Sequence, residues 1–508
     1  MHVTRYDGKS KLGDFIIAGI DVRPQGLVTD AELVMKSLPL APANSKNKII
    51  MQSDEISVSS LLTDDESTPS ILFASNSPLT PSSSAASLGD CAPRAKIPRL
   101  ELRPETEKER FAASNVPVMV FESPSTSSDL TSFKNVEKFL VHDFPAAPPQ
   151  YWSVMRPIRY AALAGNSVKV WTKKAPPAAL LSHWDLAIPD FVRPNFISDD
   201  SGSFDLLKQV QTNPDMLIHA YLPLEQIPEE NHVVSPSVHY HVAGKGAIPE
   251  MTVQHAPKHF LDTKTQRPCV AKVTHAMGSL GIFIVKNDDD ENELHEFLAN
   301  TGHPEVVVTE FIDISRNLAC HFFVYPTGEM TWFGYSENEK LDSGGWASDS
   351  TFCIGKQEEM QELLVPYATD VAKYFLSKGF WGFAGIDVLF DNNGKGYVVD
   401  VNPRVTGSMP ALMTSIGVFE TFNGLGVGKF RKSTKWHYPG SMEELLSFAN
   451  KWNTANKEKG HVVIYSVYQQ GPACTQLNIG AWGKTEEEVD AILALFCKED
   501  TRVGAGRA

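Results

Sequence analysis

None of the six cysteines in this 508-residue chain lies within a C-x-x-C spacing of another, which excludes a paired-thiol zinc ribbon and a thioredoxin-type redox site. Cys91, Cys269, Cys320, Cys353, Cys474 and Cys497 are expected to be buried, reduced thiols of a cytoplasmic protein. No apolar run approaches the ~20 residues of a membrane span. "FIIAGI" near the N-terminus is too short for a signal-peptide core, and an acid and a proline follow it closely. Basic residues are also in deficit: 46 Lys and Arg stand against 61 Asp and Glu, a formal net charge of −15 spread along the chain. That argues against a dedicated nucleic-acid surface, yet an anionic ligand needs only local positive charge. The apolar fraction of 42% is a little low for a folded protein, as if folded domains were diluted by a polar segment.

That segment is N-terminal. "SVSSLLTDDESTPS" and "SPLTPSSSAASLGD" are rich in Ser, Thr and Pro, and "RPETEKER" is a solvated charge run, so residues 1–130 are expected to be largely disordered. "DFIIAGIDV" and "VPVMVFE" are short apolar pieces within it, able to form isolated strands. Residues 131–250 alternate strands ("SVKVWT", "MLIHAYLPL") with helices ("YWSVMRPIRYAALAG", "SFDLLKQVQ"), the pattern of a small open-sheet α/β domain. Residues 251–430 mix hairpins with helices. In "KQEEMQELLVPYATDVAKYFLSKG", Leu364, Tyr367, Val371 and Tyr374 or Phe375 recur at helical spacing, and Pro366 is expected to kink or split the helix. Residues 431–508 read as strand, strand and helix, with Thr485 as N-cap.

Within "GIDVLFDNNGKGYVVDVNPRVTGS" (residues 385–408), "DNNGKG" supplies the turn of a hairpin. If Phe390 pairs with Tyr397, Asp387 lies opposite Asp400, with Asn402 on the same face two residues on; Ile386, Val388, Val399 and Val401 then point to the other face. Carboxylates inside apolar strands are costly unless something is bound. Three oxygen ligands in register suit Mg²⁺ bridged to a phosphate, and Arg404 adds a fixed cation beside them. In "VAKVTHAMGSLGIFIV", Lys272 on a strand leads into a loop with Gly278, Ser279 and Gly281, where backbone N–H groups can approach phosphate oxygens. Both flanks are strands, which rules out the P-loop and the Rossmann turn, since each of those opens a helix. In "VVVTEFIDI", the strand running into Glu310, Phe311 and Ile312 can offer alternating backbone donors and acceptors to an adenine edge. "GLGVGKF" (residues 424–430) imitates a nucleotide loop but is expected to be a turn. His239 and His241 in "HYH" have metal-like spacing on a strand without a third ligand.

In this order the three stretches resemble the ATP-grasp superfamily over roughly residues 135–500, and stand-alone carboxylate–amine ligases in particular. The resemblance implies a mixed α/β chain: a small α/β domain precedes an ATP-grasp fold that holds ATP between two sheets. It also implies that Lys272 contacts the α/β-phosphates and that the Gly278–Ser279–Gly281 loop closes over them. Glu310, Phe311 and Ile312 would meet adenine. Asp387, Asp400 and Asn402 would hold Mg²⁺ (or Mn²⁺), with Arg404 facing the transferred phosphate or acyl group. Lys245 stands where a second ATP lysine is often found. Two positions depart from the family: Asp400 replaces the usual Glu, and the ribose-binding acid is replaced by Asn317, with Asp313 as its alternative. The activity implied is ATP-dependent joining of a small carboxylic acid to an amine through an acyl phosphate, without nucleic-acid or membrane partners and compatible with a homodimer. A kinase that stops at phosphoryl transfer, or a nucleotide-binding pseudo-ligase, are the alternatives. The loop at residues 338–350 is expected to close over substrate.

Overall fold

The computed structural model describes residues 117–124, 132–141, 150–166, 168–198, 205–276, 281–301, 306–340, 346–432 and 436–499. The first sheet is parallel, in the order β3 (Asn195–Ser198), β2 (Lys169–Thr172), β1 (Val118–Val120), β4 (Ile218–Ala220). Its apolar strands are covered by helices, as parallel sheets require. β1 is an interior strand, and Val118, Met119 and Val120 are almost fully buried. This corrects the expected boundary at residue 130: "VPVMV" is core. Its three-residue strand is too short to show a period, and only its parallel neighbours from far along the chain identify it.

The second sheet is small and antiparallel, in the order β5 (His259–Phe260), β8 (Val306–Glu310), β6 (Cys269–Val273), β7 (Ile282–Val285). The helix Asp288–Thr301, with four acids in its first turn, packs on it through Leu294. The third sheet has ten strands. β13 (Gly396–Asn402), β12 (Gly382–Asp391), β9 (Ile314–Val324), β10 (Met330–Lys340), β11 (Trp346–Cys353) and β14 (Val427–Arg431) lead to β17 (Cys474–Gly483). There β15 (Trp436–Tyr438), β18 (Lys498–Glu499) and β16 (His461–Gly471) complete it. The strands expected in a separate C-terminal unit thus continue the central sheet. The helix after them starts at Thr485, whose side chain accepts from Glu488 N.

One long helix, Gln357–Lys378, runs unbroken through Pro366, against the expectation of a split. Leu364, Tyr367, Val371, Tyr374 and Phe375 are all buried on β9 and β12, and each large apolar side chain so buried contributes ~1.5–3 kcal/mol. That packing outweighs the single hydrogen bond a proline removes. Gly379 then stops the helix at φ +87°, a conformation suited to glycine. Three further expectations are corrected. His239 and His241 lie on the helix Pro236–Ala243, so their spacing of two points them apart, to Pro403 O and Tyr374 Oη. In "GLGVGKF" the last residues form β14, where Lys429 is buried against Asp490 and Glu486. Most of residues 338–350 is strand, belonging to β10 and β11.

Candidate active site

A cleft of about 310 Å³ opens between the small antiparallel sheet and the β9–β12–β13 side of the large one. Val270, Lys272, Ile282 and Ile284 form one wall, and Glu310, Phe311 and Ile312 form the hinge edge. Asp387, Asp400, Asn402 and Arg404 line the opposite wall. The three stretches singled out in the sequence thus line one cleft.

The hairpin geometry differs from the expected one in an instructive way. Phe390 pairs with Gly396, Leu389 with Tyr397 and Val388 with Val398, one residue out of the expected register. Asp387 nevertheless pairs with Asp400, because the register shifts between Asp387 and Val388. The extra residue is Val399, a β-bulge. Val398 takes the expected core place beside Ile386, Val388 and Val401, and Val399 lines the cleft instead. The bulge also leaves the Val399 carbonyl available: Lys272 Nζ donates to it at 3.1 Å.

Two lysines meet two aspartates here. Lys245 Nζ lies 3.1 Å from Asp400 Oδ1 and donates to Ala276 O at 3.1 Å. Burial lowers Lys272 to about 8, Asp400 and Asp387 resist that shift, and Lys245 adds to it. Burial and then repulsion from Asp400 push Asp387 up to about 7, against the pull of Arg404, Lys245 and Lys272. Asn402 donates to Asp400 Oδ2 at 3.5 Å, and its amide oxygen accepts from Arg404 Nη1. Among the described residues no three His, Cys, Asp or Glu side chains converge, and Asn402 sets an amide oxygen beside the two carboxylates. Two hard carboxylates, one of them strained toward its neutral form, fit a divalent cation.

Asn317 lines the cleft with a buried side-chain oxygen that has no hydrogen-bond partner, whereas Asp313 accepts from Asn392 at 2.8 Å. Glu310 is tied to Lys258: its N–H donates to Lys258 O, and its carboxylate accepts from Lys258 N, both at 2.9 Å. Gly278 and Ser279 lie outside the described residues. Gly281, at φ +70°, closes the hairpin by accepting from Val273 N at 2.9 Å.

Sequence reasoning missed several neighbours. Asn338 of β10 donates to Asp387 Oδ1 at 3.4 Å and is itself held by Ser350 at 2.9 Å. His321 of β9 meets Thr406 at 2.8 Å and Ser336 at 3.2 Å, tying the segment after the hairpin to the sheet; burial holds it neutral, at about 3. Tyr221, from the segment after β4, lies under Arg404, 5.4 Å from the guanidinium carbon to the ring centroid. A lone histidine or asparagine on a strand carries no sequence signal. Only the sheet order reveals these residues.

A family model described as "L-aspartate--L-methionine ligase, ATP grasp" matches residues 250–402, from just before β5 to Asn402 at the end of β13, a stretch that includes most of the cleft lining. No curated protein matches the chain by sequence. Among solved structures, the chain is similar to an ADP complex of N5-carboxyaminoimidazole ribonucleotide synthetase, with 12% identity and a TM-score of 0.46, covering 67% of this chain and 92% of that one. The Staphylococcus aureus N5-carboxyaminoimidazole synthetase complexed with ADP gives 13% identity and a TM-score of 0.43 over 75% and 96%. The Bacillus licheniformis L-amino acid ligase gives 14% identity and 0.41 over 66% and 92%. The family match thus falls on the segment that lines this cleft, where the chain is similar to ATP-grasp ligases.

Proposed function

We propose that the chain joins a small carboxylic acid to an amine at the expense of ATP, forming an amide or peptide-like bond. The observation that carries this reading is the opposition of Asp387 and Asp400 on one face of the cleft, with Lys245, Lys272 and Arg404 around them. Asp387, Asp400 and Asn402 would hold Mg²⁺ (or Mn²⁺), whose chemistry there is neutralisation of phosphate charge. Lys272 and Lys245 would bind the phosphates, the hinge at Glu310, Phe311 and Ile312 would seat adenine, and the unpartnered oxygen of Asn317 would accept from a ribose hydroxyl.

In the first step a carboxylate oxygen of the acid attacks the γ-phosphorus; the bond to the bridging oxygen breaks, and ADP leaves. In the second, the amine nitrogen attacks the acyl carbon, phosphate departs with the C–O bonding pair, and the amine loses a proton. Arg404 would hold the phosphoryl group in line and offset its charge in both steps. The family description names L-aspartate and L-methionine, which makes them the first pair to assay. ADP release that requires both an acid and an amine supports this reading. ADP release with the acid alone would mean phosphoryl transfer without ligation, and none with any pair would contradict an active ligase.

A further inference from the structure

In the parallel sheet the chain runs outward from β1 through β2 to β3, then returns to the other side of β1 as β4. In open α/β sheets a ligand usually sits beyond the carboxyl ends of the two strands at such a reversal. Here Phe121 directly follows β1 and Tyr221 directly follows β4, and Tyr221 N donates to Val120 O at 2.8 Å. The gap beyond them is lined by both residues and by Pro403, Arg404 and Val405, and only about 20 Å³ of it is open, room for a water. The turn that follows β13 thus fills the place where such a sheet would hold a ligand.

Tyr221 also lines the active-site cleft, and among the described residues it is the one lining residue that precedes Lys245 in the chain. It is therefore the contribution of the parallel sheet to the site. Arg404 lines both the cleft and the gap behind it. The backbone of its turn is fixed by Arg404 N donating to Asn402 O at 2.7 Å and His239 Nε2 donating to Pro403 O at 2.8 Å. The side chain is restrained separately. Its Nη1 donates to Asn402 Oδ1, its guanidinium carbon lies 5.4 Å from the Tyr221 ring centroid, and its buried Nε has no hydrogen-bond partner. A guanidinium over an aromatic face is attracted to the ring, more so where water is scarce. The Tyr221 ring is itself held: it stacks on Tyr160 with centroids 5.1 Å apart and planes 24° apart, and the two hydroxyls are 3.3 Å apart. Tyr160 in turn accepts from Arg159 Nη2 at 2.7 Å.

We propose that Tyr221 is the positioning residue of Arg404: its ring keeps the guanidinium aimed at the transferring phosphoryl group, so that the chemistry depends on the parallel sheet being docked against the large one. The inference rests on the ligase reading above, which puts Arg404 at that group. It concerns a residue outside the matched segment, 250–402. A cation fixed before the reaction stabilises the transition state without reorganising, whereas a loose one binds the ground state nearly as well and loses rate. Loss of the ring should therefore appear in kcat and not in nucleotide affinity.

The test is ADP release by the full chain with Mg²⁺, ATP, L-aspartate and L-methionine, in a double-mutant cycle of Tyr221→Leu and Arg404→Lys. Tyr221→Leu should lower kcat about thirtyfold or more, with KM for ATP and affinity for ADP within about twofold of the parent. Tyr221→Phe, which keeps the ring, should retain about a third of kcat or more. In Arg404→Lys, the Leu change should cost less than about twofold further, because no guanidinium is left to aim. An unchanged kcat in Tyr221→Leu overturns the proposal, as does a Phe variant as slow as the Leu variant. An equal cost in the Arg404→Lys background overturns it too, because Tyr221 would then act apart from Arg404. A parallel fall in ADP affinity would assign Tyr221 to the fold and also overturns it. If Tyr221→Leu does not fold, Tyr221→Met takes its place in every comparison. If no acid and amine pair releases ADP, the ligase reading fails, and the four proteins of the cycle are compared by calorimetric titration with ADP and the β,γ-imido analogue of ATP. Tyr221→Leu should then weaken the analogue relative to ADP about fivefold where Arg404 is present and leave that ratio unchanged in Arg404→Lys. The same ratio in all four proteins overturns the inference.

Discussion

Asp387 stands opposite Asp400 because Val399 bulges out of the second strand of their hairpin. With regular pairing from the turn, Asp387 would face Val399, and Asp400 would enter the apolar core on the other side. The bulge turns two carboxylates toward one cleft and presents a carbonyl to Lys272. Bulges commonly re-aim a side chain next to an active site.

The lysines around this pair should separate in their effects. Lys272→Ala would remove the proposed charge-assisted phosphate contact, worth ~1.5–3 kcal/mol, so nucleotide affinity should fall roughly ten- to a hundredfold. Lys245→Ala should lower nucleotide affinity similarly. It should also lower the melting temperature of the nucleotide-free protein, because Asp400 loses its ion-pair partner at 3.1 Å. Nucleotide titrations and melting curves of the two variants check this, and unchanged affinity in Lys272→Ala would reduce the "AKVTHAMGSLG" segment to a turn.

Much of this site was legible from residues 385–408, since a polar turn between two alternating strands fixes which side chains share a face. Even there the register was one residue out, because a bulge leaves no mark in a run such as "YVVDV". Lys245 was weaker in sequence: it reaches Asp400 from a short 3-10 turn whose place is set by tertiary packing. The helix at His239 and His241 was misread as a strand because its eight residues include Val, Tyr and His, which carry no helical bias.

The first described strand makes a sharp truncation test. Deleting residues 1–116 should leave ATP binding and melting temperature largely intact, because that composition cannot build a core. Deleting residues 1–125 removes Val118, Met119, Val120 and Phe121, each 0–2% exposed. At ~1.5–3 kcal/mol apiece that loss rivals the stability of a whole domain. The shorter chain should be insoluble or should lose a cooperative unfolding transition. Equal stability of the two truncations would contradict the central place of β1.

Acid should weaken the contact of the helix Ala178–Ala187 with β16. His183 Nδ1 bonds Asn450 Oδ1 at 2.6 Å, and its Nε2 accepts from Ile464 N at 2.9 Å, so the ring is held neutral with its proton on Nδ1. Burial lowers it from 6.5 to about 4. The unfolded chain therefore takes up the proton first. The stability from this group is complete above pH 6.5 and is lost as pH falls toward 4, amounting to ~3 kcal/mol at the limit. Urea midpoints at pH 7.5 and 5.0 should fall less steeply with acid in His183→Gln than in the parent. Equal pH slopes in the two proteins would contradict this.

The most direct measurement is ADP release by Asp387→Asn with Mg²⁺, ATP, L-aspartate and L-methionine, read beside its melting curve. The substitution would remove a proposed metal ligand and relieve the burial cost and the Asp400 repulsion that together raise Asp387 to about 7. Turnover should be abolished, the melting temperature without metal should stay level or rise, and the stabilisation gained from Mg²⁺ and ATP should shrink. Asp400→Glu, the residue usual in the family, should retain part of the activity. Full Mg²⁺-dependent turnover by Asp387→Asn would contradict the account at its centre.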